Sequence, residues 1–371
     1  MVGIGAVLVG VGLFFGLRDD KVMPPQRIRL EEILAEVKNP IPIRTAEDFD
    51  LIRDDLSADY ELGRDIDFEG VDFQPIGDRN HPFLGTLNGK GYSLSNIHMD
   101  LPSEEGVGLF RQIGEAGVVY DVKIRKISVK GDSLVGTFAG TNQGKIVNCK
   151  INDLEIDGRV TVGGIVGRNY GNLQDCSIKN GKVSADCMAG GIVGRNYGDL
   201  LNISIKNGKV SADYMAGGIV GRNYGKVFDV FGELVLEGET AVGGVVGYFE
   251  KGTLNNCRFV GNLECYNKGG GLIGTLCSKT DLIDSFAKGK VVVSEGDNAG
   301  RLIGYMLEGA KVENCRSNVV LIQRGVKVEK DVGVIYHYPS FSEVFDYELE
   351  RENLEHPWQI PDSQPLKLTS E

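Results

Sequence analysis

Apolar residues along this chain recur in short runs instead of at helical spacing. Over residues 160–320 a run such as Gly163-Gly164-Ile165-Val166-Gly167 is followed by Leu173-Gln174-Asp175-Cys176-Ser177-Ile178 and then by Gly181-Lys182-Val183-Ser184-Ala185. Polar corners of the kind Asn169-Tyr170-Gly171 and Lys179-Asn180-Gly181 separate them. Short apolar segments bounded by Asn and Gly predict β-strands joined by tight turns, three strands to a unit.

The unit repeats. Residues 168–194 and 195–221 are identical at 22 of 27 positions, and the glycine that closes the apolar run recurs at Gly140, Gly167, Gly194, Gly221, Gly247, Gly274 and Gly304. A unit of that size buries no core of its own, so the units must stack. Three strands with a turn at each corner close one coil of a right-handed parallel β-helix with about 27 residues per coil, like residues above like, at about 4.8 Å spacing. Eight to nine such coils are expected from the number of repeats.

Stacking assigns roles to the repeat positions. Asn148, Asp175, Asn202, Asp229, Asn256, Asp284 and Asn314 share one position. There they form a polar ladder whose alternating amides and carboxylates avoid like charges on adjacent rungs. The next position holds Cys149, Cys176, Ile203, Val230, Cys257, Ser285 and Cys315 and is expected to face inward, with the cysteines as free thiols acting as small hydrophobes.

The ends read differently. Residues 1–17 are wholly apolar and stop at Arg18-Asp19-Asp20, which reads as a transmembrane anchor or signal segment, short for a span of the roughly 30 Å hydrocarbon core. Arg18, Lys21, Arg27 and Arg29 follow it. By the positive-inside rule they would keep the body cytoplasmic, against a surface role, so the sequence leaves orientation open. Residues 18–42 are expected to be a linker or stalk with a short helix near Leu30. Residues 43–105 hold an N-terminal cap, with a helix opened by Thr45-Ala46-Glu47-Asp48, and the first coils. Residues 106–335 carry the repeats, and residues 336–371 a C-terminal capping segment.

Composition narrows the function classes. The 371 residues include 52 glycines, about twice the usual frequency, and carry a net charge of −12. With no basic block, a nucleic-acid partner is excluded. Seven cysteines without close CxxC pairs give neither a zinc site nor a complete disulfide framework.

Two constellations carry candidate chemistry. Asp186, Asp213 and Glu239 precede the glycine pair at equivalent positions and would form an acidic column, a weak candidate for calcium or a carboxylate pair. Arg168 with Tyr170, Arg195 with Tyr197, and Arg222 with Tyr224 would form an exposed stripe of stacked tyrosines and arginines, a surface able to lie against sugar rings, acidic glycans or a partner protein.

Residues 162–176, and 242–247 onward to Asn256-Cys257, resemble the GLUG motif of adhesin-like and filamentous-haemagglutinin-like surface proteins, with residues 83–97 and Gly108-Leu109-Phe110 matching that family's opening segment and Trp358-Gln359-Ile360 its closing strand. The resemblance implies a β-helix and a general association with adhesion or surface display, and brings no shared catalytic residues. The expected function is therefore a membrane-tethered, non-catalytic module, with a cell-surface glycan or protein as partner and self-association open to it. The alternatives are a glycan-active β-helix enzyme of lyase or hydrolase type, or an intracellular scaffold. No cofactor is implied beyond the weak calcium candidate.

Overall fold

A computed structural model describes residues 23–328 and the strand Val334–Ile335. The chain is an all-β parallel solenoid of about ten turns with about 27 residues in each. Its strands form one 25-stranded and one 9-stranded sheet. Register follows the repeat: Val166, Arg168 and Asn169 pair with Val193, Arg195 and Asn196, which pair in turn with Val220, Arg222 and Asn223.

One coil has four strands where the sequence predicts three: Thr161–Gly163, Val166–Asn169, Asn172–Gln174 and Ser177–Ala185. The next coils, such as Met188–Gly190, Val193–Asn196 and Asp199–Ala212, have three strands as the sequence predicts, divided at other points. The expected single strand over residues 162–167 is broken by a corner at the glycine pair. A Cβ on Gly163 would lie 2.1 Å from the Val166 carbonyl oxygen, and one on Gly164 would lie 2.1 Å from that of Gly191. Only an unsubstituted pair lets the backbone fold back so closely.

The polar ladder forms as the spacing predicts, by a mechanism that spacing alone does not reveal. Asn148, Asp175, Asn202, Asp229, Asn256, Asp284 and Asn314 all have φ between 50° and 55°. Asn and Asp tolerate that left-handed region better than other side chains, so each marks the corner where a long strand bends. Alternation then supplies donors to acceptors: the amide of Asn202 donates to Asp175 at 2.5 Å, and that of Asn256 to Asp229 at 2.7 Å.

The adjacent column faces the core. Cys149, Cys176, Ile203, Val230, Cys257 and Cys315 all belong to one hydrophobic cluster that runs the length of the solenoid. All seven cysteines are free thiols, six of them buried. Burial pushes the Cys265 and Cys315 thiols up to about 12 and also raises those of Cys149 and Cys257. Since the thiolate is the reactive form, a thiol reagent at mildly alkaline pH should label Cys187, the partly exposed one, and reach the others only on unfolding. Stoichiometric labelling of the six in the native protein would contradict the inward column.

The start of the solenoid is sealed as the sequence predicts, by a shorter helix. Thr45 caps the helix Ala46–Phe49 in a reciprocal box with Asp48, and a 3-10 turn follows at Asp50–Arg53. Phe49 and Ile52 are fully buried, and Phe49 meets Phe68 and Phe73 edge-on. Apolar side chains thus close off the first coil.

The segment expected as a stalk lies partly against the solenoid. Its helix Leu30–Glu36 buries Ile33 in a small cluster with Val118, Tyr120 and Val147 on the outer flank. Beyond it, the main chain of Ile28 exchanges hydrogen bonds with the Gln174 side chain at 2.7 and 3.0 Å. Arg27 reaches both carboxylate oxygens of Asp175 at 2.9 and 3.0 Å. Apolar side chains on the flank hold it there.

The proposed anchor at residues 1–17 and the capping segment at 336–371 lie outside the described residues. Among the described residues no helix is long and apolar enough to cross a membrane.

Candidate functional site

The three Arg-Asn-Tyr corners stack in register on successive coils. Each asparagine turns inward while its neighbours stay at the surface. Asn169, Asn196 and Asn223 are completely buried. The Nδ2 of each donates to a glycine carbonyl two residues on, at 2.9 to 3.0 Å. Between coils, Asn142 donates to Asn169, Asn169 to Asn196, and Asn196 to Asn223, each at 2.8 Å. This second, interior ladder pins the corner and so holds the residues flanking it. Ile113 and Phe249 pair with its two ends and close it with apolar side chains.

The tyrosines stack on one another. Ring centroids are 4.8 Å apart for Tyr170 and Tyr197 and 4.6 Å for Tyr197 and Tyr224, with planes within 10° of parallel. Tyr197 is therefore covered on both faces. It presents an edge and a hydroxyl, because the stacking of tyrosines expected along the stripe itself consumes the π faces.

The three arginines differ in their surroundings. Arg222 is bound to Glu250 at 2.8 Å, and its guanidinium lies 5.2 Å from the ring centroids of both Tyr224 and Tyr248. Arg168 and Arg195 have, among the described residues, no carboxylate within ion-pairing distance, while the buried Nε atoms of all three arginines have no hydrogen-bond partner. Glu250 and Tyr248 were absent from the sequence-derived set. Tyr248 pairs with Arg222 and Phe249 with Asn223, so Tyr248-Phe249-Glu250 replaces Arg-Asn-Tyr on the next coil. Their place directly after Gly247, equivalent to that of Arg222 and Tyr224 after Gly221, carried that signal.

The acidic column does not converge. Asp186, Asp213 and Glu239 are exposed at equivalent turns of successive coils, and the Glu239 amide donates to the Asp213 carbonyl at 3.0 Å. One coil earlier the same turn holds Arg159, bonded to both oxygens of Asp132 at 2.6 and 3.0 Å, a pairing the sequence reading leaves out. Arg159 keeps the Asp132 carboxyl below its ordinary value. Among the described residues no three His, Cys, Asp or Glu side chains are grouped to hold a metal ion.

A groove of about 780 Å³ runs across four coils beneath the loop at residues 68–72, lined by Glu69, Asp72, His98, Asp153, Glu155 and Lys182 among others. Two of its acids are engaged between coils: Glu155 with Lys182 and Asp153 with Asn180, both at 2.8 Å.

No known family model matches the chain. It is 35% identical over 99 residues to halomucin of Haloquadratum walsbyi, covering 25% of this chain and 1% of that protein. It is also 35% identical over 122 residues to a Gly-rich membrane protein of Evansella cellulosilytica, covering 30% of this chain and 14% of the relative. The chain thus spans a small part of the curated relatives it matches. Among solved structures, a protein described as an immunoglobulin A1 protease from Bacteroides ovatus aligns at TM-score 0.43 and 19% identity over 79% of each chain. A second IgA1 protease aligns at TM-score 0.47 and 19% identity, over 78% of this chain and 22% of that one.

Proposed function

We propose that this chain is a membrane-tethered, non-catalytic β-helix module of GLUG type that displays the stacked Arg-Tyr stripe at the cell surface for adhesion or ligand binding. The observation that carries the reading is the pair Arg168 and Arg195, held rigidly on adjacent coils with no acidic partner among the described residues. An ordered cation that the protein leaves unpaired, beside exposed aromatic hydroxyls, is the composition of a recognition surface. Tethering is supported by the apolar run at residues 1–17 and by the membrane-protein name of one partial relative.

Two experiments test the reading. Protease treatment of intact cells should cleave the body if it is displayed; protection until lysis would favour an intracellular scaffold instead. A glycan and protein binding screen, run beside a turnover assay, should give binding without product.

A second reading, a glycan-active enzyme, is favoured by the groove at residues 68–72, which brings Glu69, Asp72 and His98 together with Asp153 and Glu155. Product formation that is lost in Glu69→Gln or Asp72→Asn would replace the display reading with this one.

A further inference from the structure

The geometry points to an acidic polysaccharide, bearing a carboxylate or sulfate on successive sugars, as the ligand of the Arg-Tyr stripe; this rests on the binding role proposed above. Elsewhere on the solenoid, cations on one coil face acids on the next: Arg159 with Asp132, Lys182 with Glu155, Lys209 with Glu237, and Arg222 with Glu250. Like-charged register neighbours also occur, at Lys123 with Lys150 and Lys179 with Lys206, but Arg168 and Arg195 combine the lack of an acid with stacked tyrosines beside them. They are register partners, so two like charges sit one coil apart on a protein whose net charge is −12. Anionic oxygens placed along this pair would relieve the repulsion and engage guanidinium N–H groups in charge-assisted hydrogen bonds.

The tyrosines specify the ligand further. Tyr197, sandwiched between Tyr170 and Tyr224, offers a hydroxyl at the surface instead of a ring face. That disfavours neutral sugars that bind by stacking and favours oxygen-rich groups. Successive rungs are 4.6 to 4.8 Å apart at the rings, so a ligand that engages both must present anionic groups at that short spacing, as a densely charged polysaccharide can. Side chains on one face of an extended peptide recur at about 7 Å, so an acidic peptide falls out of step with the rungs.

Both ends of the site are closed. On one side the arginine and tyrosine positions become Thr141 and Gln143; on the other they become Tyr248 and Glu250, and Glu250 already occupies Arg222. Two rungs remain open. The recognition unit is therefore two adjacent acidic sugars, with the polymer running along the solenoid axis.

The test is titration of the full-length protein with polygalacturonate, its methyl-esterified form, dextran sulfate and polyglutamate. Binding is expected for polygalacturonate or dextran sulfate and should weaken with salt as screening shortens to about 8 Å. Arg168→Gln and Arg195→Gln should each weaken it roughly tenfold. Lys209→Gln, on a different face and ion-paired with Glu237, should not, and Glu250→Gln, by freeing a third rung, should strengthen it. Unchanged unfolding midpoints would show the variants folded. Equal binding of the esterified polymer or of polyglutamate, or indifference to both arginine substitutions, would overturn the assignment. If a neutral glycan or a protein proves to be the ligand at these corners, the acidic class is wrong while the display reading stands; if nothing binds at the stripe, both fail.

Discussion

Gly217→Ala should destabilise the solenoid by about 3 kcal/mol, the upper end for overpacking. A Cβ at this position would lie 1.8 Å from the Val220 carbonyl oxygen and 2.8 Å from the Gly247 amide nitrogen. Both obstacles are backbone atoms, already bonded to neighbouring coils. Neither can rotate aside as a side chain could, so the coil must open. Gly163, Gly190, Gly243, Gly270 and Gly300 occupy the same place and face the same kind of contact. Displacement at one rung therefore propagates to its neighbours, as expected where coils contact only the coils beside them. The comparison is Gly70→Ala. That residue has φ of +77° and nothing within 4 Å of an added Cβ, so only the left-handed strain of about 1 kcal/mol applies. Urea unfolding midpoints measure both. A Gly217→Ala midpoint equal to that of the unsubstituted protein would mean that the corner is looser than described.

Asn196→Ala should cost about 3 to 5 kcal/mol, through the loss of hydrogen bonds inside the core and not through lost apolar volume. Asn196 donates to Asn223 at 2.8 Å and to the Gly198 carbonyl at 3.0 Å, and accepts from Asn169 at 2.8 Å. Truncation strands an amide hydrogen of Asn169, the Oδ1 of Asn223 and a backbone oxygen. Each buried group left without a partner costs about 1 to 3 kcal/mol. Replacing Asn142, Asn169, Asn196 and Asn223 together by leucine should cost less than four times the single change, because no side-chain amide is then left unmatched. Thermal or chemical unfolding of the single and quadruple variants decides this. A quadruple penalty equal to or above four single penalties would show that the ladder's worth lies in its bonds to the glycine carbonyls and not in the bonds between asparagines.

The thiol labelling, the polymer titration and these two substitutions probe three layers of one arrangement: inward column, outward stripe and the corner between them. The corner matters most for function. Asn169 and Asn196 hold the backbone from which Arg168, Tyr170, Arg195 and Tyr197 project. Loss of the ladder should therefore weaken binding at the stripe before the protein unfolds.

Much of this was legible in the chain itself. A 27-residue period, broken only by small insertions and deletions, sets which residues stack, because a parallel coil places residue i above residue i+27 wherever the turns are equal. From that followed the coil length, the inward cysteine and aliphatic column, the corner Asn and Asp, and the grouping of the three Arg-Asn-Tyr corners. The period also located where the pattern fails: at the short step to Gly247 the pairing skips Asn207, so that Lys206 and Gly208 meet Glu233 and Leu234. Periodicity says nothing about lateral direction within a coil. The split of the glycine-containing run into two short strands therefore emerged only with the backbone, because the corner at Gly163 and Gly164 depends on how closely one turn approaches the next. The pairing of Arg222 with Glu250 and of Arg159 with Asp132 depends on which way long side chains lean between rungs. The contact of Arg27 with Asp175 joins residues 148 positions apart, one of them outside the repeat, and was decided by the apolar flank at Val118, Tyr120 and Val147 that the helix Leu30–Glu36 covers.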